Sequence, residues 1–142
     1  MNEDQARQVG LLLAMIRTAI GLTTLVAPSL ARLWVGAPGA TPGGRALSRS
    51  LAAREIVLGC GALFSGSNSV RLRTWLAAGA LCDCVDSVGT ASTPGLPRAP
   101  RVLVTLTSGA AAVAGGVAAL SLPAQKSEPG ALPAAADRRP SA

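Results

Sequence analysis

Charged residues stand at the centres of apolar stretches that are otherwise long enough to cross a bilayer. Four stretches of that length can be read, about Val9 to Ala27, Ala46 to Phe64, Trp75 to Ser92 and Val102 to Leu122, the first three with central charges, each near the roughly 20 residues that a helix needs to span a hydrocarbon core. Arg17 lies in the first, Arg54 and Glu55 in the second, Asp83 and Asp86 in the third. A soluble helix turns such residues to water, whereas a spanning helix must neutralise them against a neighbour. The expected fold class is therefore all-α, a transmembrane four-helix bundle over residues 1–122 followed by a disordered tail over 123–142.

Composition agrees with a bilayer. The chain is 49% hydrophobic with mean hydropathy +0.42, above the soluble norm. Its apolar residues are mostly Ala, Leu and Val, with two Trp, one Phe and no Tyr, a poor stock for a large soluble core. The net charge of +6 does not indicate nucleic acid, because the arginines are scattered and no aromatic residues are interleaved to stack bases. In short loops the same basic excess meets anionic headgroups and sets orientation. Histidine is absent, which removes the commonest general base and the usual metal ligand.

Pro28, Pro38-Gly39, Pro42-Gly43-Gly44, Ser67-Asn68-Ser69 and Pro94-Gly95-Leu96-Pro97 mark turns or loops between the spans. The segment from Pro28 to Val35 reads either as a plain loop or as a short interfacial helix with Trp34 at headgroup depth. Beyond Pro123 the mixture of Pro, Ala, Ser and charge lacks periodicity and cannot bury enough surface to order itself. With an even number of spans, Arg7, Arg71, Arg73, Lys126, Arg138 and Arg139 share one side; Arg32, Arg45, Arg98 and Arg101 take the other, with Arg49 close by. That balance favours a multi-pass protein with both termini cytoplasmic.

The five central charges fall at similar depth, given the rise of about 1.5 Å per residue in a helix. Each costs roughly 2.5–3.5 kcal/mol at a helix centre on insertion scales, against about 0.3–0.6 returned by each Leu or Val. The third span, with two aspartates, should need partners on the first and second. Asp83 and Asp86 are three apart and share a face with Gly79, where another helix can approach closely. One arginine, Arg17 or Arg54, can fork between the two aspartates. Arg54 and Glu55 point about 100° apart, so they are expected to address different neighbours, Arg54 the aspartates and Glu55 Arg17.

Weaker patterns carry less. Cys82 and Cys84 point about 200° apart on a helix and cannot jointly bind one metal ion; Cys60 also lies in an apolar stretch, and no Cys-x-x-Cys pair is present for thiol redox chemistry. Gly59-Cys60-Gly61 with Gly66 lacks dinucleotide-loop spacing and fits helix packing better. Ala111, Gly115 and Ala119 form a small-residue series for a close helix contact, within the bundle or between protomers.

Arg17 with Gly21, Pro28 with Arg32 and Trp34, the run Ala53-Arg54-Glu55-Ile56-Val57-Leu58-Gly59, and Asp83 with Asp86 together resemble a family of uncharacterised small four-span membrane proteins from high-GC bacteria, grouped as a domain of unknown function. The resemblance reaches about residue 90. It implies the span count and points to the same charges, and brings no activity or cofactor with it.

The functional expectation is an integral membrane protein of structural or accessory role, held together by a buried network of Arg17, Arg54, Glu55, Asp83 and Asp86. The alternative is a proton-coupled small transporter that uses the same carboxylates as a relay. An enzyme acting on lipid or quinone ranks third. No cofactor, metal or nucleic acid is expected. The expected partners are the lipid bilayer and, through small-residue faces, a second copy or another membrane protein.

Overall fold

Among the described residues four long helices form, three of them where a capping residue precedes an apolar run. The computed structural model describes residues 1–30, 32 and 36–124. Helix α1, Glu3–Val26, starts on a reciprocal cap in which Asn2 Oδ1 accepts from the Gln5 amide at 2.8 Å and Gln5 Oε1 accepts from the Asn2 amide at 3.2 Å. Glu3 and Asp4 in its first turn complement the helix dipole. Helix α2, Pro42–Leu63, is capped by Thr41 and carries proline at its first position, where no amide is needed. Helix α3, Ser69–Ser92, is capped by Asn68, whose side chain accepts from the Arg71 amide at 2.9 Å. Helix α4, Arg98–Leu120, follows Pro97 and has no side-chain cap.

These boundaries extend each expected stretch toward the amino terminus, and at one place they replace an expected turn with helix. The turn expected at Pro42-Gly43-Gly44 is the first turn of α2, because Thr41 supplies the cap and Pro42 the fixed φ. Pro28–Leu30 forms a single 3-10 turn. Trp34, and the expected interfacial helix around it, lie outside the described residues, as does residue 125 onward of the expected tail. Gly66 and Gly95, at φ +57° and +80°, make the left-handed turns between α2 and α3 and between α3 and α4.

The chain runs up and down in two close hairpins, α1 with α2 and α3 with α4. Glycines set the first pairing. A Cβ on Gly21 would lie 2.7 Å from the Ala52 carbonyl oxygen, and one on Gly59 would lie 2.7 Å from that of Ala14, so neither position admits a larger residue without separating the helices. In the second hairpin Gly115 faces Leu76 and Ala80, and Ser87 donates to the Thr105 carbonyl at 2.9 Å. The small-residue series of α4 is thus turned toward α3. Between hairpins, α1 lies beside α4 and α2 beside α3.

The tightly packed part of the interior lies at the end that holds the amino terminus and the α2–α3 turn. There Ala6, Ala14, Ala62, Leu72, Leu76, Ala118, Ala119 and Leu122 are buried together, flanked by Val9, Leu63 and Trp75. The bulkier aliphatic residues face outward: Leu12, Val57, Leu81, Val85, Leu106, Val113 and Leu120 are each more than half exposed. Asp83, by contrast, is 6% exposed. Two of the four helices, α1 and α4, are long and apolar enough to cross a membrane; α2 and α3 carry the central charges that break their apolar runs.

Candidate functional site

The five central charges converge midway along the bundle as one chain of alternating sign. Arg17 reaches from α1 to the adjacent α2 and across the bundle to α3, its Nη1 donating to Glu55 Oε2 at 2.7 Å and its Nη2 to Asp83 Oδ2. Arg54 of α2 donates to both oxygens of Asp86, Nη1 to Oδ1 at 3.1 Å and Nη2 to Oδ2 at 2.5 Å. The same guanidinium donates to Glu55 Oε1, from Nη2 at 2.9 Å and Nε at 3.2 Å. The order is therefore Asp83, Arg17, Glu55, Arg54, Asp86, with a carboxylate at each end.

Two details differ from the expected pairing. No arginine forks between the aspartates: each takes one of them and shares Glu55. Arg54 and Glu55, expected to face apart, also bond to each other, because the long arginine stem folds back across the 100° between their Cα–Cβ directions. Gly79 has a different use as well. The space above it is filled by the Arg17 guanidinium, whose Nη2 would lie 3.1 Å from a Cβ there. A Cβ at position 79 would oblige the Arg17 guanidinium to give by a few tenths of an ångström.

Exposure grades along the chain. The Arg17 and Asp83 side chains are 12% and 8% exposed, Glu55 14%, and Arg54 and Asp86 30% and 29%. The exposed end opens into a cavity of about 310 Å³ between the hairpins. All four helices line it, from about the level of the charges toward the end where the 27–41 and 93–97 connections lie. Leu13, Ile16, Ile20, Leu51 and Val104 form its apolar walls, and Thr24, Ser48, Thr90, Thr107 and Ser108 add hydroxyls. The bundle is thus closed by packed alanine and leucine on one side of the charges and open on the other.

Residue types restrict the chemistry. Among the described residues no group of three His, Cys, Asp or Glu side chains lies close enough to hold a metal ion. Cys82 is half-buried and Cys84 exposed, and all three cysteines are free. The cavity walls are the part that the sequence reading missed. Ser48 and Thr107 donate to carbonyls of their own helices, Gly44 at 2.7 Å and Leu103 at 2.8 Å, and such local bonds leave no pattern along the chain.

No family model, curated protein or solved structure matches this chain. The family resemblance consequently rests on its own residues alone.

Proposed function

We propose that the protein is a four-span integral membrane protein of structural or accessory role, with the Arg-carboxylate network as the element that joins its two hairpins. The observation that carries this reading is the inverted arrangement of the bundle: exposed Leu and Val outside, charges and small residues inside. In water that arrangement leaves large apolar side chains solvated and charges desolvated, both unfavourable. In a bilayer the same exterior is at home, and paired charges in the interior are the accepted solution for ionisable groups at depth. Helices of 22 to 24 residues are about 33–36 Å long, sufficient for a hydrocarbon core of about 30 Å. A location in the bacterial inner membrane with both termini cytoplasmic goes with this proposal.

Membrane fractionation tests it. The chain is expected to stay in the pellet through washes with high salt and alkaline carbonate and to be released by detergent. Recovery in the washed supernatant would overturn the assignment.

A second reading, proton-coupled transport, is favoured by the cavity, which leads from one end of the bundle to the carboxylates at its middle. It predicts that the reconstituted protein carries a proton flux that disappears in an Asp83→Asn/Asp86→Asn variant of normal thermal stability. Absence of flux in the unaltered protein, with reduced stability in the variant, would leave the network a purely structural role.

A further inference from the structure

The alternating chain is one charge short of closing. Three carboxylates face two guanidiniums, which leaves one carboxylate in excess, and the excess lies on the terminal members, because Glu55 touches both arginines whereas Asp83 and Asp86 touch one each. Those two termini are neighbours. They are three residues apart on α3, so their Cβ atoms are about 5–6 Å apart, a separation that one ammonium group can bridge with charge-assisted hydrogen bonds of roughly 2.8 Å. Both aspartates line the cavity.

We propose that the cavity binds an organic monocation, a primary ammonium on a linear alkyl chain, with its ammonium between Asp83 and Asp86 and its chain along Ile16, Ile20 and Val104. The proposal rests on the four-span reading. The cation completes a ring of six alternating charges and cancels the uncompensated charge at the middle of the bundle. The volume of about 310 Å³ is at the small end of ligand pockets, roughly 300–1,000 Å³.

The walls select the ligand class. They are aliphatic and contain no aromatic residue, so nothing favours a flat aromatic or quaternary cation through its π-face. A metal ion lacks the three converging ligands it needs among the described residues. An alkyl chain fits beside Ile16 and Ile20, and the ammonium, unlike a quaternary group, can donate to both carboxylates.

Decylammonium is the probe, titrated into the full chain in lipid nanodiscs, with empty nanodiscs measured in parallel to remove partition into lipid. One saturable site per chain is expected, at least tenfold weaker for decanol and for decanoate. Asp86→Asn should weaken it at least tenfold. Ser108→Trp, which leaves every charge in place and fills the cavity, should abolish it with the melting transition retained. Equal uptake by loaded and empty discs, equal binding of decanol, or unaltered binding in a folded Ser108→Trp variant would each overturn the site. Fractionation of the same preparation separates the two levels: a chain recovered as a soluble protein removes the four-span reading and the site with it, whereas a detergent-requiring chain without saturable binding removes the site alone.

Discussion

An Arg17→Met substitution should leave little folded protein. The side chain of Arg17 is 12% exposed and holds Glu55 and Asp83, which are 14% and 8% exposed. Methionine keeps the length of the stem and removes both ion pairs at once, and two carboxylates then face each other in the interior with only Arg54 nearby. Removing one partner of a buried pair costs about 3–5 kcal/mol, a large part of the roughly 5–15 kcal/mol that holds a typical domain together. The expected result is loss of a cooperative thermal transition in detergent, followed by circular dichroism. Adding Asp83→Asn should restore part of it, since the bare charge is the main cost. An Arg17→Met protein that melts like the original would show that the network does not hold the hairpins together. Recovery by Asp83→Asn separates an electrostatic effect from simple loss of packing over Gly79, which the second substitution does not repair.

The four long helices of the described residues were legible because each is rich in apolar residues on both sides of any central charge, and the helix starts were less so because hydropathy ignores caps. Each helix begins four to six residues before the apolar stretch that announces it, at Glu3, Pro42, Ser69 and Arg98. Asn2, Thr41 and Asn68 are the signals that mark three of those starts, and they are polar residues that a search for spans discards. The site was legible at the level of membership. Arg17, Arg54, Glu55, Asp83 and Asp86 stand out against their apolar neighbours since each is costly there without a partner. Which charge meets which was legible in part: Glu55 meets Arg17 and Arg54 meets an aspartate as expected, whereas the Arg54–Glu55 contact and the division of the aspartates between two arginines were not, because an arginine side chain reaches across more than one helical neighbour. The cavity left no trace in the sequence: Ser48, Thr107 and Ser108 are ordinary helix residues until four helices are placed around one space.

Isolated α3 is not expected to insert into a membrane, whereas the same segment behind residues 1–68 should. Asp83 and Asp86 together oppose insertion by about 5–7 kcal/mol, and Leu76, Leu81, Val85 and Val88 return only about 2 kcal/mol, so α3 alone is disfavoured by several kcal/mol, a hundredfold or more. The preceding hairpin changes the balance by presenting Arg17 to Asp83 and Arg54 to Asp86. A glycosylation reporter placed after α3 in microsomes distinguishes the two situations. Three variants fix the cause. Asp83→Asn/Asp86→Asn in isolated α3 should raise insertion without any partner. Arg17→Gln/Arg54→Gln in the longer chain should lower it toward the isolated level. Arg7→Gln, which removes only a contact to the Gly66 carbonyl at the packed end, should leave it unchanged. Insertion of unaltered α3 as efficiently as α4 would mean that the aspartates reach the headgroups by themselves, and the arginines of the first hairpin would then be free of the role given to them here. If instead α3 follows the arginines, the order of assembly is fixed: the first hairpin must be in place before the third helix can enter, Asp83 and Asp86 then meet two guanidiniums already at depth, and the half-open cavity is completed only when α4 adds Val104, Thr107 and Ser108 to its walls.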